Sequence, residues 1–357
     1  MRRFFVVLCS VVLSLPAWGG PRPSLPDGEP RCMSRGVGLD SRCLVNGINL
    51  HFVDWGGTGD DLVLVAGLDD SARVYDELAA LLRRHHRVIG VTRRGFCGSD
   101  MPPDGYSADN LAKDFREFLD AVGVEKADLV GHSMAGLELT HLAVDAPDKV
   151  RRLVYLDAAT DKSPLQGLWQ KDPAGDGSPP PEALSSWTTL IGWTQQLLKS
   201  HSPAIATNLH QCFAAGPGGL RFRSPKEVDA AVMSTMVSDH PDYGPIRAPA
   251  LAIYSDYRQA DQVPPGASAE LRAKADAYSM AVVVPWEALE KARFRLEIQC
   301  GRTIELTHAG HYAFLERPRE IAASIESFLA SDSPCNGAPS HCVDNLPTAR
   351  LPSNSER

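Results

Sequence analysis

The sequence is poor in the features that mark metal or redox chemistry. It has no CxxC pair and no HExxH helix, and the spacing of its 11 histidines suggests no metal-ligand set. Basic residues are outnumbered, with 36 Lys and Arg against 44 Asp and Glu, a net charge of −8 at pH 7. That balance argues against a general affinity for nucleic acid. After the first fifteen residues no apolar run is long enough to span a bilayer. No cofactor, metal or nucleic-acid partner is therefore implied, and any chemistry must come from the chain's own side chains.

What is present begins with an export signal. Arg2 and Arg3 give a positive start, Phe4 to Leu15 an apolar core, and Ala17-Trp18-Gly19 a small-x-small cleavage site. Residues 1–19 thus read as a signal peptide, with an uncleaved membrane tether as the alternative. The expectation is a periplasmic or secreted protein without a stable membrane span. An oxidising compartment makes disulfides plausible for the remaining cysteines. Proximity favours Cys32 with Cys43 and Cys335 with Cys342, leaving Cys212 with Cys300 and Cys97 free.

Residues 20–42 are rich in Pro, Gly and Arg and read as an irregular arm. From Cys43 to about residue 330, apolar runs of strand length alternate with helical patterns. Leu44-Val45 and Ile48 to Val53 flank the turn dipeptide Asn46-Gly47. Leu62 to Ala66, Arg87 to Thr92, Ala127 to Val130 and Leu153 to Leu156 read as strands. Between them, Tyr75 to Leu82 has helical period, and Leu111, Phe115, Phe118, Leu119 and Val122 share one helical face. The fold class is α/β, a mostly parallel sheet flanked by helices. The alternation stops at about 158–248, where helices are expected over Glu182 to Lys199 and Pro225 to Val237; this insertion reads as a helical cap. It resumes with Ala250 to Tyr254, a helix around Ala267 to Tyr278, Arg302 to Leu306 and a helix from Arg319 to Leu329. Residues 331–357 form a polar tail.

The chemistry concentrates at Gly131-His132-Ser133-Met134-Ala135-Gly136, placed where a strand meets a helix. A serine at such a joint sits on a strained turn that lifts its hydroxyl toward a cleft. Gly131 and Ala135 are small enough to let strand and helix approach closely. A serine hydroxyl needs a base, and the base an orienting acid. The base is expected at His311, in Gly310-His311-Tyr312, on a loop before the last helix, with His308 as competitor. Asp157 closes a buried strand, and a carboxylate there needs a partner such as a histidine N–H.

The Ser-then-His order and the elbow, with Arg94-Gly95-Phe96-Cys97-Gly98-Ser99-Asp100 and Gly310-His311…Leu315-Glu316-Arg317-Pro318, resemble the α/β-hydrolase superfamily, over roughly Val45 to Leu329. Within it the chain looks like a capped serine hydrolase of the esterase type. Asp-nucleophile relatives are disfavoured because the elbow carries Ser133. The resemblance implies an oxyanion hole from the backbone N–H groups of Leu68 and Met134, although Ala66 stands where the family more often has histidine. It usually places the acid after the strand that follows the cap. There Arg258 takes the expected position, with Asp256 two residues early and Asp261 three late. Asp157 ranks ahead of Asp256. Asp69 and Asp70 read as solvated loop acids, Arg94 and Ser99 as structural. Trp169, Trp187, Trp193 and Met233 could line an acyl pocket or pack between cap helices.

The resulting expectation is an exported serine hydrolase that cleaves a small-molecule carboxylic ester through an acyl-enzyme. The same triad could instead act on amide, lactone or carbon–carbon bonds or form peracids. A non-catalytic small-molecule-binding homologue is the alternative of another class.

Overall fold

Residues 31–175, 177–256 and 262–331 are described in the computed structural model of the protein. The expected signal peptide, the proposed Cys335–Cys342 pair, Arg258 and Asp261 lie outside the described residues. The strands are β1 (Cys32–Met33), β2 (Asp40–Val45), β3 (Ile48–Gly56), β4 (Asp60–Val65), β5 (His86–Val91), β6 (Ala127–His132), β7 (Val150–Leu156), β8 (Phe213–Gly216), β9 (Gly219–Phe222), β10 (Ala250–Ser255) and β11 (Gly301–Leu306). Nine of them form one sheet in the order β1-β2-β3-β5-β4-β6-β7-β10-β11, while β8 and β9 make a separate hairpin. Pairing is antiparallel from β1 to β5 and parallel from β5 to β11.

Local chemistry accounts for the first hairpin. Val45 lies opposite Ile48, and Asn46 (φ 45°) and Gly47 (φ 81°) are both left-handed, as a two-residue hairpin of this twist requires. Strand structure begins earlier than composition suggests, within the stretch that reads as an irregular arm. Cys32 faces Cys43 across β1 and β2, and the two are disulfide-bonded, which ties the edge down.

The helices are α1 (Asp76–Leu82), α2 (Ala108–Ala121), α3 (Ala135–Asp145), α4 (Trp187–Leu197), α5 (Pro203–Cys212), α6 (Lys226–Ser238), α7 (Ala269–Tyr278), α8 (Val284–Glu297), α9 (Ala313–Glu316) and α10 (Pro318–Leu329). Alternation along β4 divides the core. Leu62 and Leu64 pack with Leu78 and Leu82 of α1 and Ile321 and Ile325 of α10. Val63 and Val65 point the other way, toward Phe115 and Phe118 of α2 and Leu139 of α3. Ser107 caps α2 by accepting from Asn110 N, and the apolar stripe read from the sequence is the face it buries.

Three elements escape the sequence patterns. The insertion contains α5, started by the Ser202 cap and Pro203, and the β8–β9 hairpin. Beyond α7, a π-helical turn at Ser279–Val283 leads into α8 with Pro285 in its first turn. A valine run followed by proline interrupts any helical period there, yet the wide turn absorbs the break.

The second described disulfide joins Cys97 to Cys212, 115 residues apart. This corrects two expectations: Cys97 is not free, and Cys212 does not pair with Cys300, which is itself disulfide-bonded. The pairing left over after the proximate ones fails because α5 folds back over the loop after β5.

Candidate active site

Parallel register lines up the strand exits along one edge of the sheet. Val65 pairs with Gly131, and His132 pairs with Leu156, so Ser133 and Asp157 leave adjacent strands at the same level. Ligand sites in such sheets form at this carboxyl edge. Ser133 has φ 53°, a left-handed conformation costly for a non-glycine residue, and its N–H donates to Leu156 O at 3.1 Å. A Cβ on Gly131 would meet Ala135 Cβ at 3.0 Å, so the small residues around the elbow are a packing requirement. Gly136 is tighter still: a Cβ there would lie 1.9 Å from Ala158 O, just beyond Asp157.

Asp157 is also left-handed, with φ 48°. Its N–H is held by Ile253 O at 2.8 Å, and its Oδ1 accepts from Ser255 N at 3.3 Å. Oδ2 contacts His311 Nδ1 at 2.6 Å, a short charge-assisted contact between largely buried side chains. Asp256 goes elsewhere: exposed, one strand farther out, it accepts from Ala309 N at 3.4 Å. His308 is exposed. The structure thus brings Asp157 to His311 and leaves Asp256 and His308 off that contact.

The histidine loop is anchored from β6, the strand that ends just before Ser133. His132 Nε2 donates to the His311 carbonyl at 3.0 Å, and the two rings lie 4.4 Å apart. Burial, and then the neighbouring His311, hold His132 well below its ordinary basicity, so it is neutral. Gly310 N donates to Glu316 Oε1 at 2.9 Å, and a Cβ at Gly310 would fall 2.2 Å from that oxygen.

The loop after β4 carries Ala66, Gly67 and Leu68. Beside it, Asp69 is exposed, but Asp70 is not the solvated acid its position suggests. It is buried, accepting from Tyr312 Oη at 3.0 Å and from Asn208 Nδ2 at 2.7 Å. Burial pushes its carboxyl up to about 6, against the opposing pull of those donors. Nothing in the sequence marks this network, since Asn208 is 138 residues away on α5. In the Arg94–Asp100 segment Arg94 forks onto Asp114, and Ser99 Oγ donates to Thr92 O at 2.8 Å rather than capping a helix.

A cleft of about 870 Å³ opens beside His311, lined among others by Asp256, Glu287, Lys291 and His308. Burial, and next the charge of Asp157, raise the Glu287 carboxyl to about 8, so it is largely protonated at neutral pH. The expected acyl-pocket aromatics do not line this cleft. Trp187 and Met233 pack on the core, and Trp169 is exposed with Lys162 Nζ 5.6 Å from its ring; the same ammonium lies 5.2 Å from Trp286. Asp109, His141 and Asp145 come within metal-ligand reach of one another, but both His141 nitrogens already contact the carboxylates of Asp109 and Asp239.

A family model described as alpha/beta hydrolase fold matches residues 61–196. A Variovorax paradoxus protein named as a carbamate hydrolase, RutD, is 38% identical over 184 residues, 49% of this chain and 67% of that one. The soluble epoxide hydrolase of a Corynebacterium species is 32% identical over 143 residues, covering 40% of this chain and 46% of its own. A Vibrio campbellii pimeloyl-[acyl-carrier protein] methyl ester esterase is 31% identical over 160 residues, 44% and 54% respectively. Among solved structures, E-2-(acetamidomethylene)succinate hydrolase superposes with TM-score 0.63 at 22% identity, covering 82% of this chain and 99% of its own. The enol-lactonase of Burkholderia xenovorans gives 0.56 at 20%, covering 81% and 100%. With the parallel sheet, the serine elbow and a histidine loop at the same edge, these likenesses are of one kind: the chain belongs to the α/β-hydrolase fold family.

Proposed function

We propose that the protein is a serine hydrolase that cleaves a carboxylic ester of a small molecule through an acyl-enzyme. The observation that carries this reading is the 2.6 Å contact between Asp157 and His311 at the sheet edge where Ser133 is held at φ 53°. In this reading Ser133 Oγ attacks the carbonyl and its proton passes to His311 Nε2, while Asp157 holds the Nδ1–H tautomer and stabilises the imidazolium. The negative oxygen that develops is met by the N–H groups of Leu68 and Met134. His311 then protonates the leaving alcohol. A water activated by the same histidine attacks the acyl-enzyme, releasing the acid and restoring Ser133.

Two disulfides among the described residues fit an exported protein, and no helix among them is long and apolar enough to cross a membrane. Export through residues 1–19 is part of the proposal. The relative named as a carbamate hydrolase favours a second reading, in which the same residues act on a carbamate or amide carbonyl.

The test is turnover of short-chain p-nitrophenyl esters by purified, disulfide-intact protein, alongside p-nitrophenyl carbamates. Ester turnover that Ser133→Ala abolishes supports the first reading, and activity confined to carbamates supports the second. Turnover unaffected by Ser133→Ala would exclude both.

A further inference from the structure

Arg93 and Glu138 form a buried ion pair whose side chains are only 1% and 3% exposed. The guanidinium forks onto the carboxylate, Nε to Oε1 and Nη2 to Oε2, the latter at 2.9 Å. Its remaining reach is spent on the backbone after β4: Nη1 donates to Gly67 O at 2.9 Å and Nη2 to Ala66 O at 3.1 Å. A trans peptide points its C=O and the next N–H in opposite directions. Holding Gly67 O toward Arg93 therefore directs the Leu68 N–H away from it. On another side, Gly67 lies against His132, where an added Cβ would sit 2.8 Å from Nδ1. Glu138 belongs to the first turn of α3, the helix that begins just after Met134.

We infer that Arg93, fixed by Glu138, is a positioning residue that aims the Leu68 N–H and keeps it in register with the Met134 N–H on the nucleophile helix. The inference deepens the serine-hydrolase reading and rests on it. A stabilising role alone explains the pair poorly, because exchanging a buried ion pair for apolar groups of similar volume is often neutral or stabilising. The geometry gives it another task. One planar fork ties together the β4 exit, the β5 exit and α3, the segments that carry or adjoin the two oxyanion donors. Neither sequence motif nor spacing reveals this, since Arg93 and Glu138 are 45 residues apart.

The test compares wild type with Arg93→Met/Glu138→Leu, which removes both charges together, and with Arg93→Lys, which keeps the charge facing Glu138 but cannot hold both carbonyls as the fork does. Each is assayed for kcat and KM on a p-nitrophenyl ester, for inhibition by a trifluoromethyl ketone, and for the rate of Ser133 labelling by a fluorophosphonate. Losing a whole oxyanion donor costs about 10²–10³ in kcat, so a misaimed one should cost about tenfold to a hundredfold. KM should stay within about threefold, while ketone affinity falls in parallel with kcat. A folded variant of either kind with wild-type kcat and ketone affinity overturns the inference. So does an equal loss in kcat and in ground-state binding. If the double variant does not fold, Arg93→Lys alone decides by the same criteria. A wild type inert to esters but labelled by the fluorophosphonate fails only the ester reading, and the labelling rates of the variants still test Arg93. A wild type that is neither active nor labelled overturns both.

Discussion

Replacing Asp157 by Asn changes one atom type at the contact that orients His311. Asp157 Oδ2 stands 2.6 Å from Nδ1, with the two side chains 12% and 19% exposed. If the Asn oxygen faces Nδ1, the hydrogen bond survives but the charge that stabilises the imidazolium is gone. If the amide faces it, Nδ1 must accept, the proton moves to Nε2, and the ring can no longer take the serine proton. In a Ser-His-Asp triad the wrong tautomer costs about 10⁴ in kcat, roughly 5.5 kcal/mol, and loss of the charge alone costs about 1.5–3 kcal/mol. At about 1.4 kcal/mol per tenfold, kcat should fall by about 10–10⁴. Asp256→Asn is the matched control, because among the described residues its exposed side chain accepts the long Ala309 N–H contact, which an amide oxygen can still accept. Its activity should stay within about threefold of wild type, because the contact to the histidine loop survives and Asp256 does not touch His311 Nδ1. Both variants are assayed on the same p-nitrophenyl ester after circular dichroism has established equal folding. A larger loss from Asp256→Asn than from Asp157→Asn would refute the assignment of the acid.

Three further outcomes follow from the packing and charge of the site. Reducing the Cys97–Cys212 bond, or replacing both residues by Ser, releases a crosslink between residues 115 apart and should lower stability by about 2–5 kcal/mol, read from denaturant unfolding with and without reductant; coincident curves would contradict this. Gly136→Ala drives a methyl into Ala158 O, so it should destabilise by about 1–3 kcal/mol or more and shift the strand exit that carries Asp157; wild-type stability with full activity would contradict it. Glu287 binds its proton more tightly when folded, up to about pH 8, than a free glutamate does. Between about pH 4.5 and 8 the folded state therefore holds more protons, and stability should fall as pH rises, by about 1 kcal/mol per unit from this group. Glu287→Gln should flatten that slope, and parallel profiles for the two proteins would refute it.

What could be read from the sequence was what is encoded locally. Asn46-Gly47 fixes its own hairpin, and Ser133 sits in a hexapeptide whose strand and helix both show their period. The sequence does not separate Asp157 from Asp256, because both follow buried strands; the distinction lies in β7 being the neighbour of β6, a fact of sheet order. Asp70 looks solvated in the sequence because its donors, Asn208 and Tyr312, come from α5 and the histidine loop. Cys97 with Cys212 and Arg93 with Glu138 depend in the same way on tertiary closure. Local signals were also obscured in α8, where valines and Pro285 mask a helix entered through a π turn.

The most direct test of the central claim is the site of covalent modification. Disulfide-intact protein treated with a fluorophosphonate should gain one adduct, located by peptide mass spectrometry on Ser133, and Ser133→Ala should gain none. An adduct on another residue, or ester turnover that persists in Ser133→Ala, would contradict the account.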